Sequence, residues 1–346
     1  MSVCRSKLRQ RSGKLKTGDD SGRYAVDCIA KSFIIGCLVL LILHYTFAIL
    51  LRLIMVERRC AFLTLEHRSG FFIYDHLTYE PLADLGWAVQ EIPWQQPNVV
   101  WDDYDMVVIR SPWDYQKDVP SFLKVLERID RSSAQLQNPL DIVRWNLEKS
   151  YLKELQGWGV EIVPTRWGAN LDRTSLESLF LDLQTEQMVI KPTVGANADD
   201  TLWLARCGPR DLTVQAIATF GSRPFIAQPF LHSVVEQGEY SLFYFGGDYS
   251  HAVLKTPKKG DFRVQEEHGG NITAYQPDEK LREAGLKAIR AIGRPLLYAR
   301  VDLVYLASGK PAVMELELIE PSLYFPYNAE SPRRFAQALH QMNERG

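Results

Sequence analysis

The sequence predicts an α/β protein in which a parallel N-terminal lobe is followed by two α+β subdomains. Short apolar runs alternate with helical patterns between residues 59 and 138, an order that favours a parallel sheet. From residue 223 to the end of the chain, strand patterns of period two dominate. Because 46% of the 346 residues are hydrophobic and only 24% are charged, the chain can bury the core that such lobes require.

The N-terminal segment, residues 1–55, is basic and contains a long uncharged stretch. Nine Lys and Arg against three Asp leave it with six excess positive charges, so the remainder carries about −8. The stretch from Ser32 to Leu51 has about the 20 uncharged residues that a helix needs to cross a membrane. Residues 33–51 are therefore a candidate membrane anchor, and the predicted architecture includes an optional N-terminal transmembrane helix.

Composition narrows the function of the rest of the chain. A neutral-to-acidic body argues against nucleic acid as the main partner. The five cysteines are scattered and show no CxxC spacing, so they indicate neither a disulfide framework nor a zinc site. The composition and cysteine pattern of the main body are therefore typical of an intracellular protein.

The first lobe offers candidate substrate-binding residues at the end of a strand. The run DMVVIR predicts a buried strand, and Arg110 and Asp114 lie at its carboxyl end. Open α/β sheets bind ligands at this end of their strands. Arg110 is a candidate clamp for a carboxylate and Asp114 for an ammonium group, which would suit an amino-acid-like substrate. The alternative is that Trp113 and Tyr115 of the same segment only pack an interface between lobes.

Two lysines mark the second segment. The pattern NPLDIVRWNLEKSYLKELQGWG predicts a helix that carries Lys149, and MVIK predicts a strand that ends at Lys191. A small-residue loop, Gly195-Ala196-Asn197, follows the strand. A lysine at a strand end beside such a loop can meet phosphate oxygens while backbone amides close over them. Taken singly, Lys149 is also typical of a solvent-facing helix residue, and Lys-Pro is typical of an ordinary turn.

The third segment contains a hairpin that gathers acidic side chains. Two strand patterns flank the turn Ala307–Lys310, and their periodicity places Arg300 and Asp302 on one face of the first strand and Glu315 and Glu317 on one face of the second. Three carboxylates on one surface repel each other unless cations neutralise them. Two hard cations with oxygen ligands, usually Mg²⁺ beside phosphates, remove this repulsion. The alternative is a solvated outer face of the hairpin.

These motifs, taken in order, resemble those of the ATP-grasp ligases, such as D-alanine:D-alanine ligase and glutathione synthetase. The resemblance is carried by NLEKSYLKELQGWGVEIVPT, VIKPTVGA, AQPFL, GEYSL, RVDLV and ELELIEPS. A closer resemblance, to the subfamily of the cycloserine-pathway cyclo-ligase, is carried by VVIRSPWDYQ, NPLDIVRWNLEKSYL, SHAVLKTPKKGDFRVQEEHGG and ELELIEPSLYF. It runs from about residue 59 to the carboxyl end and omits the first 54 residues.

The resemblance implies an ATP-grasp fold in which two subdomains clamp ATP. The expected parts are residues 1–55 with the hydrophobic segment, 56–140 as the lobe before the ATP-grasp unit, 141–225 as ATP-grasp subdomain 1, and 226–346 as subdomain 2 with a metal site. The implied reaction is ATP-dependent joining of a small-molecule carboxylate to an amine or related nucleophile through an acyl phosphate. Two alternatives stay open: phosphoryl transfer without ligation, and a membrane-tethered nucleotide-binding module.

The resemblance also implies a nucleotide site. Lys149 and Lys191 would hold the α- and β-phosphates, with the loop at Gly195 beside them. The chain from Gln228 to Leu231 would hydrogen-bond the adenine edge, and Glu239 would bind the ribose hydroxyls.

The metal and catalytic residues follow from the same resemblance. Asp302, Glu315 and Glu317 would ligate two Mg²⁺ ions. The named ligases place Asn where this chain has Glu317, a departure that leaves the choice between Mg²⁺ and Mn²⁺ open. The cations that would neutralise charge on the γ-phosphate and the acyl-phosphate transition state are Lys255, Arg263 and Arg300.

An ATP-dependent body conflicts with the charge bias around the hydrophobic segment. Eight Lys and Arg precede Ser32, a bias that would hold the N-terminus in the cytoplasm and export the remainder, away from its ATP supply. One interpretation is that translation starts at Met55 and residues 1–54 are an over-extension. The other is a real anchor at residues 33–51 with the catalytic body in the cytoplasm.

Overall fold

The structure is a computed structural model that describes residues 57–195 and 198–345. The hydrophobic segment Ser32–Leu51, and with it the predicted anchor at residues 33–51, lies outside these ranges. Within them, the search for an apolar helix of membrane-spanning length finds none. The predicted loop residues Ala196 and Asn197 also lie outside the described part of the chain.

The first lobe is built on a four-stranded sheet in which every neighbouring pair is parallel, as the sequence predicts. The order is β2-β1-β3-β4. Its strands are β1 (Arg58–Thr64), β2 (Trp87–Pro93), β3 (Met106–Ser111) and β4 (Gln135–Gln137), and its helices are α1 (Tyr79–Asp84) and α2 (Val119–Asp130). All six residues of β3 are buried, which matches its continuous apolar run, because strands of parallel sheets are covered on both faces.

Two short helices, α3 (Leu140–Asn146) and α4 (Tyr151–Gly157), replace the single helix predicted around Lys149. Asn146 ends α3 because its side chain pairs with the backbone of residues 316 and 318: Nδ2 donates to the Leu316 oxygen, and Oδ1 accepts from the Leu318 nitrogen. The Lys149 backbone nitrogen donates to the Thr193 oxygen at 2.8 Å. These tertiary bonds draw the chain into a turn, and Lys149 lies in that turn rather than on a helix.

The second sheet is antiparallel and has the order β5-β8-β6-β7. Its strands are β5 (Arg166–Gly168), β6 (Gln187–Pro192), β7 (Leu202–Ala205) and β8 (Phe225–Pro229), accompanied by α5 (Arg173–Asp182) and α6 (Arg210–Phe220). The sequence pattern groups β8 with the strands of the third segment, but its pairing with β5 and β6 places it in this sheet. Lys191 stands near the end of β6, opposite Ile226 of β8.

The third sheet is also antiparallel, in the order β11-β10-β9-β12-β13. Its strands are β9 (Glu239–Phe245), β10 (Asp248–Thr256), β11 (Asn271–Tyr275), β12 (Tyr298–Tyr305) and β13 (Pro311–Glu317), and the helices around it are α7 (His232–Glu236), α8 (Glu279–Ile292) and α9 (Ser331–Arg345). Helix α8 begins after Asp278, because the Asp278 side chain caps it by accepting from the Leu281 nitrogen.

The predicted carboxylate hairpin is confirmed, and the structure adds its register. Strands β12 and β13 pair so that Arg300 faces Glu317 and Asp302 faces Glu315. The alternate side chains are fully buried in the core beneath the sheet, where they pack against α8; they are Val301, Leu303, Leu316 and Leu318. The acidic face is therefore turned to the side of the sheet away from α8.

The C-terminal helix α9 returns to the first lobe. Phe335 and Leu339 share one buried core with Phe62 and Trp87 of the first sheet and with Phe245 of the third. Because of this shared core, residues 57–346 form one compact unit. The three sheets draw their strands from residues 58–137, 166–229 and 239–317. The domain boundaries given above stay predictions.

Candidate active site

A cavity of about 220 Å³ is lined by loop residues of the first lobe, by residues of the second and third sheets and by the turn between α3 and α4. Trp113 and Tyr115 come from the first lobe, and Lys191 and Gln228 from the second sheet. The third sheet and the segments around it contribute residues of both charges, namely Glu239, Lys255, Arg263, Arg300, Glu315, Glu317 and Glu320. Side chains from separate stretches of the chain therefore meet around one space.

Both predicted phosphate-binding lysines point at the acidic face of the hairpin. Lys149 Nζ lies 2.9 Å from one carboxylate oxygen of Glu315, and Lys191 Nζ lies 3.7 Å from the other. Lys149 also donates to the Gly195 carbonyl oxygen at 3.0 Å. Burial alone would raise the pKa of Glu315, but the charges of the two lysines outweigh it and lower the pKa to about 2.

Lys255 lies between two buried carboxylates. It contacts the Glu239 carboxylate and lies 3.4 Å from Asp302 Oδ1. Burial opposes the charge on Lys255, but Asp302 and Glu239 prevail and raise its pKa. For Glu239 the balance is reversed, since burial raises its pKa against the opposing charge of Lys255. Ser241 donates a further hydrogen bond to Asp302.

Arg300 joins the two strands of the hairpin. Its guanidinium donates to Asp302, with Nη2 3.0 Å from Oδ2, and also contacts Glu317. Burial raises the pKa of Glu317 to about 7; Arg300 opposes this rise, whereas Asp302 and Glu315 add to it. Of the three carboxylates on this face, Glu317 is therefore the one that holds a proton most readily.

The carboxylate oxygens on this face suit a hard divalent cation as ligands. Carboxylate oxygens are the ligands that Mg²⁺ prefers, and a cation bound beside Glu317 would favour its charged form against the effect of burial. Across residues 57–195 and 198–345, no three His, Cys, Asp or Glu side chains converge closely enough to hold an ion by themselves. Mg²⁺ characteristically completes its shell with water and phosphate oxygens, so one or two of these carboxylates suffice.

The segment from Gln228 to Leu231 leaves the second sheet at the cavity wall. Gln228 is buried, and its side chain donates to Thr165 Oγ1 at 3.0 Å. The Phe230 nitrogen donates to the Gln187 oxygen at 2.8 Å, and the Phe230 ring stacks on Trp203 with centroids 4.4 Å apart. This segment is therefore held firmly, with Leu231 and Val234 presenting apolar surface to the cavity.

Arg263 lines the cavity from the loop between β10 and β11. Its guanidinium is held by Asp261, with Nε 3.1 Å from Oδ1 and Nη2 2.8 Å from Oδ2. These bonds lower the pKa of Asp261 well below its usual range. The same loop reaches the first lobe, where the Tyr74 hydroxyl donates to Glu266 at 3.1 Å.

The two predicted substrate clamps, Arg110 and Asp114, have protein partners and do not line the cavity. Arg110 is 1% exposed, and it donates to Asp75 at 2.8 and 2.9 Å and to the Pro321 oxygen at 3.2 Å. Asp114 accepts from Trp94 Nε1 at 2.7 Å and from Gln95 Nε2 at 2.9 Å. These contacts engage both side chains within the protein, and their role as substrate clamps stays a prediction.

Glu320, for which the sequence pattern predicts no function, lines the cavity beside Tyr115. The Tyr115 hydroxyl is hydrogen-bonded to the Glu320 carboxylate. Burial and the charge of Glu317 raise the pKa of Glu320 to about 8. The only sequence signal is that Glu320-Pro321-Ser322 directly follows the acidic strand.

The amino-acid sequence of this chain is similar to those of known proteins. Residues 60–138 match the family model described as the N-terminal domain of D-cycloserine synthetase DcsG. The chain is 34% identical over 272 residues to the cycloserine biosynthesis protein DcsG of Streptomyces lavendulae, a match that covers 75% of this chain and 90% of the relative. The chain belongs to the cycloserine-pathway subfamily of the ATP-grasp ligases.

Solved structures support the same fold for this ATP-grasp ligase. The crystal structure of D-cycloserine synthetase DcsG has a TM-score of 0.73 and 29% identity, covering 82% of this chain and 99% of that chain. D-alanine–D-alanine ligase from Bacillus anthracis has a TM-score of 0.58 and 14% identity, covering 83% and 98%; at this identity it shows the fold alone. The predicted fold class, enzyme class and family are confirmed, and the enzyme catalyses an ATP-dependent ligation.

Proposed function

We propose that this ATP-grasp ligase activates a small-molecule carboxylate as an acyl phosphate, with Mg²⁺, and joins it to an amine or related nucleophile. One observation carries the proposal: Lys149, Lys191 and Glu315 come from three separate segments and meet at one cavity, with both lysines within 4 Å of the same carboxylate. A magnesium-bound triphosphate held at Glu315 would lie within reach of both lysines.

The nucleotide would occupy the space between the second and third sheets. Lys149 and Lys191 would bind the α- and β-phosphates, with Gly195 beside them. The adenine ring would lie against Leu231, and its polar edge would form hydrogen bonds with the chain from Gln228 to Leu231. Glu239 would accept from the ribose hydroxyls while it keeps its contact with Lys255.

Asp302, Glu315 and Glu317 would share two Mg²⁺ ions, with one or two of these carboxylates on each ion and with phosphate oxygens and water completing its shell. When bound, Mg²⁺ neutralises charge on the phosphoryl oxygens and orients them. Mn²⁺, which carboxylates also ligate, is an alternative ion at the same place.

The reaction proceeds in two displacements. An oxygen of the substrate carboxylate attacks the γ-phosphorus, the bond to the bridging oxygen breaks, and ADP leaves. The amine nitrogen then attacks the acyl carbon, loses a proton, and displaces inorganic phosphate. Lys255 and Arg300 stand at the cavity beside the acidic face, where their charges would stabilise the transferring phosphoryl group. Arg263 would contribute from its loop.

The partners of this enzyme would be small carboxylic acids and amines, on one molecule or on two, rather than nucleic acid. Because the reaction consumes ATP, we place the catalytic body in the cytoplasm, where ATP is supplied. An anchor at residues 33–51 would be compatible with this if the body stays on the cytoplasmic side.

The test measures phosphate release and product mass for the full chain with ATP, Mg²⁺, and pools of amino acids, other small acids and amines. Glu315→Gln keeps the shape of the side chain but removes the charge that faces both lysines, so we expect at least a ~100-fold lower rate. Glu283→Gln, an exposed substitution on α8, is the matched control and should keep the wild-type rate.

Carboxylate labelled with ¹⁸O distinguishes the chemistry. Transfer of one labelled oxygen to the released phosphate supports an acyl phosphate, since the carboxylate oxygen stays with phosphorus when the amine attacks carbon. Equal rates for wild type and Glu315→Gln would contradict the metal assignment. ADP formation without an amine-dependent product would instead indicate a phosphotransferase.

A further inference from the structure

One wall of the cavity combines aromatic rings of the first lobe with a carboxylate that follows β13. We call it the acceptor wall and define it as Phe71, Trp113, Tyr115 and Glu320, all of which line the cavity. The rings of Phe71 and Trp113 lie 5.4 Å apart between centroids. Trp113 Nε1 donates to the Glu320 carbonyl oxygen at 2.8 Å, and the Tyr115 hydroxyl is hydrogen-bonded to the Glu320 carboxylate. These bonds hold the carboxylate beside the rings.

Glu320 differs from the other partly buried acidic residues around the cavity because it forms no ion pair; the charges of Lys149 and Arg300 lower its pKa but do not offset burial. Each of the buried or partly buried carboxylates nearby contacts a Lys or Arg, namely Glu239, Asp302, Glu315 and Glu317. Among the described residues, no Lys, Arg or His forms an ion pair with Glu320. The remaining unpaired carboxylates that line the cavity, Asp199 and Glu267, are exposed to solvent, whereas Glu320 is partly buried.

A partly buried carboxylate without a cation is costly in the charged form. The raised pKa of Glu320, about 8, has this cause together with the neighbouring charge of Glu317. A ligand that brings a positive group to the acceptor wall would remove the cost, and aromatic rings beside the carboxylate add attraction for a cation.

We infer that the acceptor wall binds the ammonium group of an amine-bearing substrate, with Glu320 as its counter-ion. This inference rests on the proposed ligase function and adds a specificity-determining residue to it: Glu320 would hold the charged nitrogen of the substrate beside the aromatic rings. Its carboxylate end would then point towards Glu317 and the phosphates. Asp114, the residue that the sequence suggests for the ammonium group, is engaged by Trp94 and Gln95.

The first experiment uses the wild-type full chain with ATP and Mg²⁺. ADP release is measured with amino acids of both configurations and with the 2-hydroxy acids of the same side chains. We expect at least one amino acid to be preferred over its hydroxy counterpart by ~100-fold or more in kcat/KM, because the hydroxy acid leaves Glu320 without a cation. If no amino acid exceeds its hydroxy counterpart, the inference is overturned.

The second experiment repeats the comparison with three variants. Glu320→Gln keeps the size and the bond from Tyr115 but removes the charge, so the preference for the amino compound should fall at least ~10-fold, mainly through KM. Glu320→Asp keeps the charge and should retain the preference. Glu267→Gln, an exposed carboxylate lining the same cavity, is the matched control and should retain it fully.

Two further measurements distinguish an ammonium site from a metal site and from a general failure of nucleotide binding. If Glu320→Gln raises the Mg²⁺ requirement as much as Glu315→Gln and leaves the amino preference intact, Glu320 belongs to the metal site and the inference fails.

Calorimetry of ADP binding in the presence of Mg²⁺ tests the nucleotide site independently. Loss of ADP binding by the wild type would remove the proposed function itself, whereas ADP binding without amino preference would remove only the ammonium site. Should Glu320→Gln not fold, Glu320→Asp and the wild-type comparison still decide.

Discussion

Whether a buried side chain in this ligase is charged or neutral depends on the groups that it contacts. Lys255 is 2% exposed and stays charged because Glu239 and Asp302 outweigh its loss of solvation. Removing one member of such a buried group leaves an uncompensated charge, at a typical cost of about 3–5 kcal/mol. Glu320 forms no such ion pair, and the charges of Lys149 and Arg300 do not offset its burial, which is why its environment points to a ligand.

His251 shows the opposite behaviour, since burial keeps its ring neutral. It is 3% exposed, it stacks on Phe243 with centroids 4.4 Å apart, and Nε2 lies 3.0 Å from the Leu323 oxygen. A carbonyl oxygen only accepts, so Nε2 carries the proton of the neutral ring. Burial lowers the pKa of His251 to about 4.

The depressed pKa of His251 predicts acid destabilisation with a definite sign. The unfolded state, with a pKa near 6.5, binds the proton more tightly, so the contribution to the free energy of unfolding is complete above about pH 6.5 and declines as the pH falls towards 4. Between about pH 7.5 and 5 the loss from this residue should be roughly 2 kcal/mol. Urea denaturation of wild type and His251→Gln at both values measures it, and an unchanged pH dependence in the variant would contradict the assignment.

At the scale of elements, tight turns bring the catalytic side chains to the cavity. The turn between α3 and α4 presents Lys149, and the turn between α7 and β9 aligns Glu239 with Lys255 across the β9–β10 pair. Gly238, in the second turn, has φ +97, and a Cβ there would lie 2.7 Å from the Lys255 carbonyl oxygen. The strand that carries Lys255 is thus packed directly against a glycine.

Gly238→Ala should therefore destabilise the protein more than an alanine at another left-handed glycine. Gly247 has φ +90 and open space around the same position, so Gly247→Ala isolates the backbone penalty of about 1–2 kcal/mol. Gly238→Ala adds the displacement of β10, for a total of roughly 3 kcal/mol or more, and should also lower the rate of ADP release. Chemical denaturation of both variants tests this, and equal losses of stability would argue against close packing at Gly238.

At the scale of the whole molecule, α9 makes the first lobe part of one core with the third sheet. The Phe335 ring is fully buried and lies 6.3 Å from that of Phe62, 5.5 Å from Phe245 and 5.7 Å from Phe325, between centroids. The cavity depends on this arrangement, because Trp113 and Tyr115 reach it from the first lobe.

Phe335→Ala should destabilise both ends of the shared core. The expected loss in free energy of unfolding is about 3–5 kcal/mol, since the substitution leaves a cavity among aromatic rings. Amide exchange should become faster in β1 and in α9 together. Leu181→Ala, at a position 59% exposed on α5, is the control and should change stability by less than about 0.5 kcal/mol. Faster exchange in α9 alone would contradict a shared core.

Much of the fold follows from local patterns that the chain carries by itself. The parallel order of the first lobe, the hairpin register that pairs Asp302 with Glu315, and the cap at Asp278 all depend on periodicity and turn chemistry within short stretches. The single helix predicted around Lys149 is wrong because tertiary bonds from Asn146 to β13 and the residue after it end the helix early. The local spacing of residues does not show a hydrogen-bond partner that lies so far along the chain.

By itself, the sequence determined the order of elements, the family, and which residue types stand on each face of a strand, because side-chain direction repeats with the backbone. Only the tertiary structure decided which charges meet. It brought Lys149 and Lys191 to Glu315, engaged Arg110 with Asp75, and left Glu320 beside Tyr115 without an ion pair. Such pairings depend on distances between segments that only the packing of the three sheets sets.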